Sequence, residues 1–251
     1  MTAAKVYFLG AGPGDPELVT IRGMRLLEQA DTVIYAGSLV SPDLLEFAPN
    51  AELVDSAPLC LDDIVNIMVA RAREGRRVVR LHSGDPSLYG AIKEQIARLK
   101  REGIGFEVVP GVSSLSAAAA ALTSELTVPG ISQTVIITRA AGRTPVPERE
   151  DISLLAAHGA TMAVFLSAGL APEVQRQLLK GYGSDTPVAV VQNASRRQQK
   201  ILRTTVAKLA GDVEAAGIDR TAIILVGEAL AQEGGESLLY REGFSHGYRQ
   251  S

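Results

Sequence analysis

The residues best placed to do chemistry in this 251-residue chain lie in three glycine-containing loops. They are Gly10-Ala11-Gly12-Pro13-Gly14-Asp15-Pro16, Ser83-Gly84-Asp85-Pro86 and Pro110-Gly111-Val112-Ser113-Ser114. Glycine bares the backbone so that a ligand can come close, and proline stiffens the turn around it. Asp15 and Asp85 each add a carboxylate. The first loop suits a flat or partly cationic ligand. The second, taken alone, reads equally well as a strand-to-helix turn with a capping aspartate. His82, His158 and His246 are far apart and form no metal-ligand spacing. The one cysteine, Cys60, excludes an internal disulfide and a multi-cysteine metal site, so no metal centre is expected.

Each loop needs a strand before it and a helix after it. Val78, Val79 and Leu81 make a short apolar run that predicts a buried parallel strand over residues 78–81. Helical spacing then begins near Leu88 and continues through Ile92, Ile96 and Leu99. The first loop sits between a predicted strand over 5–9 and a helix over 17–30, with a strand over 32–35 beyond. The third sits between a strand over 106–109 and an alanine-rich helix over 115–122, capped by Ser113 or Ser114. A short helix is expected over 43–47. A longer one is expected over 61–73, where Ile64, Ile67, Met68 and Ala72 form the apolar stripe and Gly75 ends it. The pattern restarts after the alanine-rich helix, with strands over 132–139, 161–166, 187–191, 200–206 and 222–226 and helices over 172–179 and 206–215. We therefore expect an α/β protein of two consecutive α/β domains, 1–113 and 114–251, the second with a short tail and the ligand cleft between them. In such sheets ligands bind at the carboxyl ends of strands.

Strand, glycine loop, helix, strand is also the dinucleotide-binding order. After Gly10 and Gly12, however, the third glycine of G-x-G-x-x-G would fall on Asp15, which would face a pyrophosphate. The strand over 32–35 runs into Ala36-Gly37-Ser38, with no acid to hold a ribose. A nicotinamide or flavin site is thus disfavoured. A net charge of -3 argues against a general nucleic-acid binder. No apolar run reaches the roughly 18 residues of a membrane span. The N-terminus leads straight into a strand, so no signal peptide and a cytoplasmic location are expected.

Together, in this order and spacing, the three loops resemble the signature set of the tetrapyrrole methylases, the S-adenosyl-L-methionine-dependent enzymes of sirohaem and cobalamin synthesis. The resemblance covers nearly the whole chain. It implies a homodimer of two α/β domains with the methyl donor folded between them and S-adenosyl-L-homocysteine as its product. By that resemblance Pro13, Ser83, Gly84, Asp85, Leu88, Ser113 and Ser114 would line the donor site, Ser83 standing where glycine is common. Leu166, Ala194 and Ala222 would add contacts from the second domain.

Two stretches, Tyr35-Ala36-Gly37-Ser38-Leu39-Val40 and the one from Glu125 to Arg139, resemble the branch that methylates precorrin-4 at C11 to give precorrin-5; so does the ending Leu239-Tyr240 with 244–249. The cobalt-containing substrate of the oxygen-independent route, and other members such as uroporphyrinogen III methyltransferase, are the alternatives. A non-catalytic tetrapyrrole carrier would need no donor loops. Methyl transfer from a sulfonium to an electron-rich ring carbon demands positioning more than a strong base, and no catalytic base stands out. Asp85 is expected at the donor's amino-acid or ribose end, away from the methyl group. The carboxylates of the small-molecule substrate need cations, for which Arg139 is the first candidate and Arg22 the second, each equally readable as a surface ion pair.

Overall fold

The structure, a computed structural model, describes residues 5–231 and Ser245. His246 and the ending at 239–240 and 244–249 lie outside the described residues, Ser245 apart. The chain divides into two compact units, residues 1–117 and 118–251. The division falls inside the helix Ser114–Leu122 and not at its first residue.

In unit 1, strands β1 (Lys5–Gly10), β2 (Thr32–Tyr35), β3 (Glu52–Asp55), β4 (Val78–His82) and β5 (Gly105–Val109) form an all-parallel sheet in the order β3-β2-β4-β1-β5. Helices α1 (Ile21–Glu28), α2 (Pro42–Leu45), α3 (Leu61–Arg73) and α4 (Ile92–Arg101) make the crossovers. Alternate residues of each strand face opposite sides. Leu9, Val33, Val79 and Leu81 pack with Leu27 and Leu44 on one face, and Val6, Phe8, Ile34 and Val78 pack with Ile64, Met68 and Leu99 on the other. Each fully buried side chain of this size contributes about 1.5–3 kcal/mol. From β1 the chain crosses towards β2, and from β4 it crosses the other way, towards β5. The adjacent carboxyl ends of β1 and β4 therefore form the topological switch point of the sheet.

Helix α3 spans the residues its pattern predicts, with Asp62 and Asp63 in its first turn and Gly75 (φ 81°) just past its end. Three elements of unit 1 depart from expectation. The helix over 17–30 is a 3-10 turn, Pro16–Leu18, capped by Asp15, followed by α1, which Thr20 caps afresh by accepting from the Gly23 N–H at 3.0 Å. Helix α4 begins at Ile92 and not near Leu88, because Tyr89 (φ 57°) and Ala91 (φ 49°) are left-handed. Strand β3 carries no strand signature in the sequence: it is an edge strand of four residues with acidic ends, alternately half-buried and exposed.

In unit 2, β6 (Val135–Arg139), β7 (Thr161–Phe165), β8 (Pro187–Gln192), β9 (Lys200–Thr205) and β10 (Ala222–Val226) form a mixed sheet in the order β6-β7-β10-β8-β9. The β6–β7 pair is parallel; the β7–β10, β10–β8 and β8–β9 pairs are antiparallel. The chain enters through α5 (Ser114–Leu122), and α6 (Ile152–Leu155), α7 (Ala171–Leu178) and α8 (Leu209–Ala215) follow. Met162, Val164, Val190 and Ile224 form the core with Val174, Leu178, Leu209 and Val213. Ser132 precedes β6: it closes a turn onto Val128, and its hydroxyl oxygen accepts from the Thr161 N–H at 3.0 Å.

Candidate functional site

The three glycine loops leave the carboxyl ends of β1, β4 and β5, neighbouring strands in the sheet, and hydrogen bonds join them. The Ala11 N–H donates to the His82 carbonyl at 2.7 Å. Gly12 and Gly84 then exchange a pair of bonds, Gly84 N–H to Gly12 O at 2.8 Å and Gly12 N–H to Gly84 O at 3.2 Å. The third loop is held by Asp85, whose Oδ2 accepts from the Gly111 N–H at 2.9 Å while Oδ1 accepts from the Ser87 N–H at 2.7 Å and from the Ser87 hydroxyl. Burial alone would raise the Asp85 carboxyl, but the bonds from the Ser87 hydroxyl, the Gly111 N–H and the Ser87 N–H outweigh it and hold the group below the usual carboxylate range. Asp85 is therefore an ionised staple between loops 26 residues apart in sequence.

Two kinds of glycine build this cradle. Gly84 has φ 65°, a conformation that favours glycine, yet a Cβ placed there would meet nothing nearer than the Ser114 nitrogen at 3.6 Å. Backbone crowds backbone instead at Gly10 and Gly111. A Cβ on Gly111 would lie 2.3 Å from the Gly84 carbonyl oxygen, and one on Gly10 would lie 2.5 Å from Gly111 Cα. Pro13 is buried beside Gly12, Ser83 is exposed, and Leu88 is half-buried in the turn before α4. The Ser113 hydroxyl oxygen accepts from the Leu115 N–H at 3.2 Å, and Ser114 opens α5. Pro13, Ser83, Gly84, Asp85, Ser113 and Ser114 thus belong to one set of interlocked loops. Bare amides and carbonyls dominate it, and its two carboxylates are already bonded, Asp15 to the Glu17 N–H and Asp85 as described. That chemistry suits a zwitterionic or cationic ligand with polar ends.

The residues singled out in unit 2 gather at one edge of its sheet. Phe165 at the end of β7 pairs with Arg139, and Ala222 at the start of β10 pairs with Gln192 at the end of β8. Beyond these ends lie Leu166 (φ 54°, 71% exposed), Asn193 (φ 51°), Ser195 (φ 66°) and Thr221 (φ 53°). Left-handed non-glycine residues are strained and collect at functional sites. Here they coincide with Leu166 and flank Ala194 and Ala222. Arg139 makes no ion pair among the described residues: Nη1 donates to the Ala140 and Thr144 carbonyls at 3.2 Å each, and Nη2 to the Pro145 carbonyl at 2.7 Å. Of five N–H donors, the one on Nε and one on Nη2 stay available, a fork that matches a carboxylate. Arg22 is already paired with Glu107.

Other features of the site escaped sequence reasoning. A concavity of about 570 Å³ lies beside the second loop, lined by Tyr89, Ala91 and Ile92 among others, and Tyr89 is 43% exposed. A second one, of about 460 Å³, lies between α3 and α4 on the helix flanks; there Arg73 pairs with Glu102 and Arg98 with Asp62. Beneath the loops, Arg80 and His82 are both buried on β4. Burial, then the Arg80 charge, pushes the His82 imidazole down to about 3, so it stays neutral and serves no acid–base role near neutral pH. Arg80 was detectable as a charge inside an otherwise apolar strand pattern. Among the described residues no group of three or more His, Cys, Asp or Glu could hold a metal ion, and no helix is long and apolar enough to cross a membrane.

Comparison with known proteins agrees with this geometry. The profile of the tetrapyrrole (corrin/porphyrin) methylases matches residues 5–210. The chain is 52% identical over 250 residues to a cobalt-precorrin-4 C(11)-methyltransferase of Methanocaldococcus jannaschii, covering 98% of this chain and 96% of that protein. It is 49% identical over 245 residues to a precorrin-4 C(11)-methyltransferase of Pseudomonas aeruginosa, covering 97% and 98%. Its fold superposes on the X-ray structure of a cobalt-precorrin-4 methyltransferase with TM-score 0.88 at 52% identity, over 90% of this chain and 96% of that one. A uroporphyrin-III C-methyltransferase of Thermus thermophilus, solved with S-adenosyl homocysteine, matches with TM-score 0.77 at 30% identity, over 90% and 93%. The cradle at the sheet's switch point and the near full-length likeness lead to one conclusion: this chain belongs to the tetrapyrrole methylase family.

Proposed function

We propose that this chain transfers the methyl group of S-adenosyl-L-methionine to C11 of precorrin-4, giving precorrin-5 in cobalamin biosynthesis. The observation that carries the reading is the interlocked cradle of unit 1, in a chain about half identical along its length to C11-methyltransferases. Cobalt-precorrin-4 is the second reading, favoured by the 52% identity to the M. jannaschii relative. The cobalt would then arrive as part of the substrate.

The cradle fits the donor chemically. The donor supplies a methyl group on a positively charged sulfur, and that charge disperses as the bond to carbon forms. A carboxylate close to the sulfur would stabilise the ground state more than the transition state. Asp85 avoids this, because its charge is committed to Gly111 and Ser87. We assign Pro13, Ser83, Gly84, Leu88, Ser113 and Ser114 to holding the donor, with Asp85's remaining lone pairs towards its polar ends. Leu166, Ala194 and Ala222 are assigned to its adenosine part. The free fork of Arg139 is assigned to a substrate carboxylate, and the hollow beside Tyr89 to an apolar edge of the macrocycle. These residues orient two reactants, and orientation alone can supply up to roughly 7–11 kcal/mol of barrier reduction. The reading includes a cytoplasmic homodimer that takes neither nucleic acid nor membrane; sedimentation analysis checks the dimer.

The deciding experiment incubates the protein with methyl-labelled donor and either precorrin-4 or its cobalt complex, and locates the new methyl by NMR. Label at C11 is expected. Label at C1, C2, C7 or C17 refutes the assignment, and the arm with the faster turnover identifies the substrate.

A further inference from the structure

Arg80 occupies the centre of β4, the strand that ends in the second donor loop. It is buried, at 7% exposure. Its Nη1 donates to the Ile34 carbonyl at 3.2 Å and to the Ser56 hydroxyl oxygen at 3.1 Å, while Nε is buried with no partner among the described residues. No carboxylate among the described residues pairs with it, and burial lowers its guanidinium to about 10. A buried charge without a counterion is costly, and an apolar residue of similar volume is often as stable or more so. A strand that needed only packing would carry an apolar residue there, as Val79 and Leu81 on either side do. The cost calls for another role.

The partners of Arg80 suggest that role. The Ser56 hydroxyl donates to the Tyr35 carbonyl at 2.9 Å, and the Ser56 N–H donates to the same oxygen at 2.7 Å. One residue earlier, Asp55 Oδ1 accepts from the Gly37 and Ala57 N–H groups, each at 2.9 Å. A Cβ on Gly37 would meet Asp55 Oδ2 at 2.5 Å, so this loop lies flat on the end of β3. One polar chain therefore ties the end of β2 and the loop over 35–40 to β3 and β4. That loop stands at the carboxyl edge of the sheet beside the strand bearing the second donor loop, where ligands bind in open α/β sheets. It presents the bare backbone of Gly37 and the exposed side chain of Leu39, a surface for the face of a flat ring.

We propose that Arg80, acting through Ser56, is a positioning residue that fixes the 35–40 loop in register with the donor loops and so sets how the macrocycle seats. The proposal rests on the tetrapyrrole-methylating reading given above, and its test separates the two. Arg80→Met and Ser56→Ala are compared with wild type. Amide exchange in the ligand-free protein reads the mechanical link: Gly37, Val40 and Ser56 should exchange roughly tenfold faster in both variants, while β1 amides keep their protection. In turnover, the macrocycle KM should rise roughly tenfold, the dissociation constant for S-adenosyl-L-homocysteine should stay within about threefold, and Arg80→Met should melt no lower than wild type. Arg80→Lys, with a cation able to reach one of the two acceptors, should recover part of both effects. Unchanged exchange in both variants overturns the proposal. So does faster exchange with an unchanged KM, or a KM that only follows lost thermal stability. If wild type methylates no tetrapyrrole, the functional reading fails while the exchange result still decides the link.

Discussion

Gly111→Ala is the sharpest test of the donor cradle. The added Cβ would lie 2.3 Å from the Gly84 carbonyl oxygen, 2.7 Å from Gly10 Cα and 2.9 Å from the Gly10 carbonyl carbon. All three are backbone atoms, so no side chain can swing away. Ordinary contact needs about 3.5 Å, so the third loop must retreat by about 1 Å from the other two. That motion stretches the 2.9 Å bond from the Gly111 N–H to Asp85, a bond to a charged acceptor worth about 1.5–3 kcal/mol. Overpacking itself costs about 1–3 kcal/mol. A misplacement of 1 Å at a positioning site is worth roughly 10²-fold in function. Calorimetry with S-adenosyl-L-homocysteine should thus show affinity falling roughly 10²-fold, and thermal unfolding should shift down by about 5 °C. Gly103→Ala is the control: Gly103 also has positive φ (68°), but a Cβ there meets no atom within 4 Å. It should lose about 1 kcal/mol of stability from backbone strain and keep its donor affinity. Wild-type affinity and melting temperature in Gly111→Ala would refute the argument, as would an equal loss of donor binding in Gly103→Ala.

Two further outcomes follow from the same geometry. Arg139→Ala should raise the substrate KM by roughly 10- to 100-fold through the lost carboxylate fork, with donor affinity unchanged; Arg139→Lys should not rescue it, since an ammonium cannot span three carbonyls and grip a carboxylate as well, and a wild-type KM in either variant removes Arg139 from the substrate site. His82 is held at about 3 when folded against 6.5 for the free imidazole, so below pH 6.5 the unfolded chain binds more protons and stability falls by up to about 1.4 kcal/mol per pH unit; His82→Phe, beside Phe8, should flatten that part of the curve between pH 6.5 and 5, and an unchanged slope of melting temperature against pH would count against a neutral buried imidazole.

Much of the fold was legible because its signals are local. The α3 stripe, the aspartates of its first turn and Gly75 lie within one stretch of chain, and the strands Thr32–Tyr35 and Ala222–Val226 are short apolar runs that follow turn formers. The three glycine loops were legible too, since turn chemistry is written in consecutive residues. Their mutual arrangement was not. Asp85 bonds Gly111 across 26 residues, and the backbones of Gly10, Gly84 and Gly111 touch only because β1 lies between β4 and β5. Sequence spacing carries no record of strand order, so nothing in it marks Gly10 and Gly111 as the positions that need the space of a missing Cβ, while Gly84 needs its left-handed φ. The start of α4 departs for a local reason: a Cβ on Gly90 would meet the Pro86 oxygen at 2.2 Å, and this tight turn, with left-handed Tyr89 and Ala91, overrides a helical pattern that begins earlier. Sequence alone thus determined which residues could turn, cap and bury. Tertiary structure decided which of them meet, because hydrogen bonds and steric contacts act across a few ångströms of space whatever the distance along the chain.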